Sequence, residues 1–178
     1  MLINFANLFS ILSILIALLT AIIGFIFTIY QIKLNNKIKH AEFVFSIREK
    51  IRIQKEIKEG RYLIEYNKKW YNENFHNNEN EQKIDALFSI LDHICFLKNK
   101  QLLDDCEFSI FEYDLMIVFY SDDCWSYLWN LYHWSRKKPP FKYLIDYLKS
   151  KLDADKKIAF ESSCLQRKGF ASKKYLSF

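Results

Sequence analysis

No charged side chain occurs between Met1 and Ile32, and within that stretch Leu8–Tyr30 is almost wholly apolar. As a helix rising about 1.5 Å per residue it measures roughly 34 Å, against a bilayer core about 30 Å thick, so it is long enough to span with slight tilt. Its Leu, Ile and Phe residues favour insertion by ~5–9 kcal/mol, before the cost of its few hydroxyls. A cleaved leader would need basic residues ahead of a shorter apolar run and a small-residue cleavage site behind it. None of these is present, so a retained membrane span over residues 1–32 is expected.

The flanks set an orientation. No Lys or Arg precedes the run, whereas Lys33, Lys37, Lys39, Arg48, Lys50 and Arg52 follow it with only Glu42 and Glu49 among them. Basic flanks stay on the cytoplasmic side, which predicts an inner-membrane protein with its N-terminus outside and the bulk of its chain in the cytosol. Tyr30 falls where an amphipathic ring favours the interface.

The span also has a face. Stepping 100° per residue, Ser10, Ser13, Ala17, Thr20, Ala21, Gly24 and Thr28 fall on one arc of about 100°, and the rest of the surface is Leu, Ile and Phe. Small residues let two helix backbones approach, and hydroxyls can bond across the contact, so this arc is the candidate oligomerisation face. Apolar residues continue at helical spacing through Leu34, Ile38, Ala41 and Phe45, then Val44, Ile47 and Ile51. One long helix, or two with a soft joint, is expected from about Leu8 to Lys58, with residues 33–58 as a juxtamembrane helix and Gly60 as the first break.

Only three glycines and two prolines occur in 178 residues that are 51% apolar. Such scarcity of breakers predicts an all-α fold with short connections. Residues 59–152 read as a cytosolic helical domain and residues 153–178 as a basic, loosely organised tail. Arg61–Tyr71 reads as a helical piece with Tyr62, Leu63, Tyr66 and Trp70 on one side. The polar Asn72–Gln82 reads as a loop. Lys83–Asn99 reads as an amphipathic helix carrying Ile84, Leu87, Phe88, Leu91, Ile94 and Cys95. Asp104 or Asp105 is placed to cap a helix bearing Phe108, Phe111, Leu115, Met116 and Phe119. Ser121–Asp123 caps another that runs to about Trp134, Pro139-Pro140 stops it, and Phe141–Leu152 is the last.

The span, then "KIKHAEFVFSIREK", "LFSILDHICFLKNKQLLDD" and "FYSDDCWSYLWNL", resembles a class of bacterial single-span proteins that bear a helical domain of unknown function. The likeness covers about Leu8–Leu131. It implies an all-helical cytosolic domain, no established activity and no catalytic residues to carry over. The excess of Lys over Arg, with abundant Ile, Asn, Phe and Tyr, fits an AT-rich bacterial genome.

Signatures of chemistry are few. Glycine-rich phosphate loops, G-x-S-x-G and H-E-x-x-H are absent. His93 and Cys95 sit two apart, on opposite sides of a helix, so they do not share a metal, and His93 is expected to form an interhelical hydrogen bond. Cys95, Cys106, Cys124 and Cys164 form no CxxC pair and read as reduced cytosolic thiols. Cys124 lies near a helix start, but Asp122 and Asp123 oppose thiolate formation, so it reads as a packing side chain. No metal or other cofactor is expected.

"CWSYLWNLYHW" (Cys124–Trp134) is aromatic on both sides: Trp125, Leu128, Trp129 and Tyr132 on one, Tyr127, Leu131 and Trp134 on the other. Such a helix is either buried between neighbours or presents a face to a partner or to lipid headgroups. In the second reading Tyr127, Trp134, Arg136, Lys137 and Lys138 are the candidate contact residues, the three basic ones suiting an anionic surface. The net charge of +5 fits that surface too, and no nucleic-acid-binding motif accompanies it. The expected partners are therefore the lipid bilayer, further copies of this chain and an unidentified protein. The expected function is a non-catalytic, self-associating interaction or sensing module. A membrane-perturbing effector of a bacterial anti-phage or toxin system, and an enzyme with an unfamiliar site, are the alternatives.

Overall fold

A computed structural model describes residues 2–66, 69–72, 74–135, 138–158 and 160, with no account of the side chains of residues 2–6, 133 and 134. The fold is all-helical, with no strand among the described residues. The order is α1 (Leu2–Ile53), α2 (Lys55–Tyr66), α3 (Glu79–Asn99), α4 (Asp105–Ser109), α5 (Glu112–Phe119), α6 (Asp122–Trp134) and α7 (Lys142–Ser150). The chain divides into two compact units, Met1–Phe45 and Ser46–Phe178.

The first unit is α1 up to Phe45. Asn35-Asn36 does not interrupt it, although asparagine is a poor interior residue. The helix is long and apolar enough to cross a membrane, and no part of its most apolar stretch is buried by protein. Every Leu, Ile and Phe from Leu8 to Phe27 is at least 52% exposed.

In the second unit α3 is the central element. Ile84, Leu87, Phe88, Leu91 and Ile94 recur at spacings of three and four, and all are buried. That stripe takes α2 on one side and α7 on the other. The α2–α3 crossing depends on Gly60, where an added Cβ would lie 2.3 Å from the Lys83 carbonyl oxygen. Gly60 is thus a close-approach residue inside α2 and not the break expected there. The chain leaves helical geometry at Gln54, while the hydrogen bonds Gln54 N–H to Lys50 O and Lys58 N–H to Gln54 O, both 3.0 Å, carry the helical bonding pattern through it.

The caps follow the polar residues closely. The Asn78 side chain accepts from the N–H groups of Asn80 and Glu81 at the start of α3. Asp104 and Glu107 form a reciprocal capping box at α4, and the Ser121 hydroxyl accepts from Cys124 N–H at α6. No local side chain caps α7. Its Leu144 N–H donates instead to Asp92 Oδ1 of α3 at 2.8 Å, which fixes the α3–α7 register.

The expected helix over Arg61–Tyr71 ends at Tyr66, and its inward face is Ile57, Gly60 and Ile64, with Tyr62 and Tyr66 exposed. The polar connection after it holds part of the core, since Trp70, Tyr71 and Phe75 are buried. The single helix expected around Phe108–Phe119 is two, α4 and α5, and both Phe108 and Phe111 at their junction are buried. Of the tail expected over residues 153–178, residues 159 and 161–178 lie outside the described residues. Residues 154–158 are helical, and Phe160 is wholly buried against the rings of Trp125 and Tyr132.

Candidate functional site

Ser10, Ser13, Ala17, Thr20, Ala21, Gly24 and Thr28 all lie exposed on α1. Three of their hydroxyls turn back onto the helix. Ser13 donates to Ser10 O, Thr20 to Ile16 O and Ala17 O, and Thr28 to Gly24 O, at 2.8–3.0 Å. A hydroxyl satisfied within its own helix costs little to place in an apolar medium, and its lone pairs remain for an incoming donor. No atom lies within 4 Å of the position a Cβ would take at Gly24. The arc is therefore flat and open at its centre.

The other sequence candidates are resolved differently. Tyr127 is 1% exposed, so it does not meet a partner or a headgroup. Its ring lies edge-on to Trp70 and Phe75, with centroids 6.1 and 5.1 Å away, and tilted against Phe88 at 6.0 Å. Its hydroxyl donates to Asp85 Oδ1 at 2.7 Å. Burial, reinforced by the Asp85 charge, pushes the phenol well above its usual range, and burial raises the Asp85 carboxyl against the lowering effect of that hydrogen bond. Beside it, Asn130 Nδ2 donates to Tyr71 Oη at 2.6 Å, and Tyr71 N–H donates to Asp123 Oδ2 at 3.1 Å. A phenol held protonated in a packed aromatic box is a structural donor, not a nucleophile. With Trp125, Leu128, Trp129 and Leu131 also buried, α6 is enclosed on both sides. The side chain of Trp134, and Arg136 and Lys137 entirely, lie outside the described residues, while Lys138 is exposed.

His93 is exposed and its ring stacks on Phe96 of its own helix, so it is not the interhelical hydrogen-bonder expected. Cys95 and Cys124 are buried, and desolvation pushes both thiols up, away from the reactive thiolate. Among the described residues no group of His, Cys, Asp and Glu could hold a metal ion.

Two concave surfaces of the second unit lie beside α5, a region without a sequence signal strong enough to single it out. A cavity of about 200 Å³ is lined by Arg48, Ile51, Arg52, Arg61, Ile110, Tyr113 and Asp114. There Arg61 pairs with Asp114 at 3.4 Å, its guanidinium lies over the Tyr113 ring, and the Tyr113 hydroxyl donates to Glu65 at 2.7 Å. Burial raises the Asp114 carboxyl, opposed by Arg61 first and then by Arg52 and Arg48. A shallower groove of about 390 Å³ is lined by Ile64, Glu65, Ile117, Tyr120, Ser121, Asp122 and Asp123. Neither holds a nucleophile–base pair. No protein-family model, curated protein or solved structure matches the chain.

Proposed function

We propose that this protein is a membrane-anchored, non-catalytic helical module that self-associates, with α1 as the anchor and the second unit as the part that meets other molecules. One observation carries the reading: a charge-free stretch of α1 leaves all of its large apolar side chains without protein cover. In water so much exposed apolar surface is a strong drive to insertion or aggregation, and a bilayer satisfies it along its whole length. The basic residues from Lys33 to Arg52 favour the second unit on the cytoplasmic side of an inner membrane. The small-residue arc, open at Gly24, favours span pairing within that membrane.

Extraction tests the anchor. The full chain is expected to stay with the membrane pellet through alkaline carbonate and high salt and to leave it only in detergent. Recovery in the supernatant without detergent would refute the reading. Gly24→Ile and Ala17→Leu are expected to weaken crosslinking between chains in membranes while leaving pelleting unchanged.

A further inference from the structure

The α5 flank of the second unit carries an exposed face that neither the anchor nor the small-residue arc accounts for. On α5, Tyr113, Ile117 and Tyr120 recur at spacings of four and three and share one side of the helix, and Ile110 continues the row at the α4 end. Tyr113 is 56% exposed and Tyr120 77%, both large for aromatic side chains on a packed unit. Tyr113 is held in place by Arg61 and Glu65, so presenting its ring costs little further ordering.

The two ends of the row have opposite charge. At the Tyr113 end stand Arg48 and Arg52 beside the paired Arg61 and Asp114, Glu65 bonds Tyr113 between the two ends, and at the Tyr120 end stand Asp122 and Asp123. Among the described residues neither the Arg52 guanidinium nor the Asp122 carboxylate has a hydrogen bond or an ion pair of its own. Arg52 acts on Asp114 only at longer range.

We propose that this face docks a second copy of the same chain, related by a two-fold axis that passes over Ile117. Such an axis runs the two α5 helices antiparallel and brings Tyr113 of one copy to Tyr120 of the other. It sets Arg52 opposite the partner's Asp122 twice, once on each side. An isologous contact requires a self-complementary patch, and a row with a basic and an acidic end about two helical turns apart is one. Its two tyrosines and its arginine are residue types enriched in interfaces. The row is short, so the contact is weak in solution and gains from tethering both copies to one membrane. That gain depends on the anchor proposed above, whereas the complementarity does not.

Charge reversal in the full chain, followed by sedimentation in density-matched detergent, provides the test. Arg52→Glu and Asp122→Arg, both at exposed positions, are each expected to raise the dissociation constant about tenfold. The double variant restores the opposed pairs in a homodimer and is expected to return to within about threefold of the parent. Raised salt is expected to weaken the parent in the same direction. Single reversals without effect, or a double variant no tighter than the singles, would overturn the proposal. Gly24→Ile separates it from span pairing: association lost there but indifferent to both reversals belongs to the span alone. Association sensitive to the reversals but not to Gly24→Ile belongs to α5 and leaves the arc without a role.

Discussion

The run from Leu8 to Tyr30 and the helix α3 are both rich in Leu, Ile and Phe, yet the chain treats them in opposite ways. In α3 the apolar residues fall on one stripe and are buried by α2 and α7, while Glu79, Gln82, Ser89 and His93 keep the other side wet. In the Leu8–Tyr30 run they cover all but a narrow arc and no protein covers them. Apolar content alone does not tell these cases apart. The absence of any charge on the outer side does, because a water-facing helix needs one and a lipid-facing helix cannot carry it cheaply.

The sharpest way to break that contrast is to truncate one phenylalanine in each region. Phe75→Ala empties a box shared with Trp70, Tyr71 and Tyr127, so the second unit should lose about 3–5 kcal/mol. Phe25→Ala removes a side chain that touches no core and should leave that unit's melting unchanged. The four tryptophans, Trp70, Trp125, Trp129 and Trp134, all lie outside the span, so their fluorescence follows the second unit alone even in detergent. Equal destabilisation by the two substitutions would mean that the apolar run is a core element after all.

The glycines give a smaller and cleaner contrast. Gly60→Ala drives a methyl into the Lys83 carbonyl, a backbone atom that cannot move without parting α2 from α3, and should cost about 1–3 kcal/mol. Gly24→Ala meets nothing and improves helix propensity, so the same fluorescence melt should not register it. A neutral Gly60→Ala would show that α2 and α3 sit further apart than the structure places them.

These same positions show where the sequence was legible. The all-helical class, the α3 stripe, the cap at Asp104 and the cap at Ser121 were readable because each depends on local spacing or on one polar side chain. Gly60 was misread because glycine has two uses, breaking a helix and admitting a neighbour, and only the neighbour decides between them. Trp70 was placed on the apolar side of a helix that ends before it, whereas Tyr71 and Phe75 border or sit in an asparagine-rich stretch without periodicity, so nothing local marked those two as core. Tyr127 was left between burial and partner contact because one helix cannot reveal that elements on both sides enclose it. The α5 row, Tyr113, Ile117 and Tyr120, drew no notice because the charged residues near its ends, Arg52 and Asp122, come from other segments.

The least of these effects is a difference in pH response, and it too separates the regions. No Asp, Glu, His, Lys or Arg lies between Met1 and Ile32, so no side chain of the charge-free run changes charge between acidic and neutral pH. In the second unit burial raises the carboxyls of Asp85, Asp92, Asp114 and Asp123 above the ordinary aspartate value near about 4. A carboxyl whose pKa is higher folded than unfolded binds more protons in the folded state, so its contribution to stability falls as pH rises through the window above that ordinary value. Asp85→Asn leaves an acceptor for the Tyr127 hydroxyl and removes the charge that burial disfavours. The variant should therefore melt with a shallower decline between mildly acidic and neutral pH, and the shift should stay below that of Gly60→Ala because the hydrogen bond from Tyr127 already offsets part of the desolvation. A steeper decline in Asp85→Asn would mean that the ionised carboxylate, and not its burial, governs that pair.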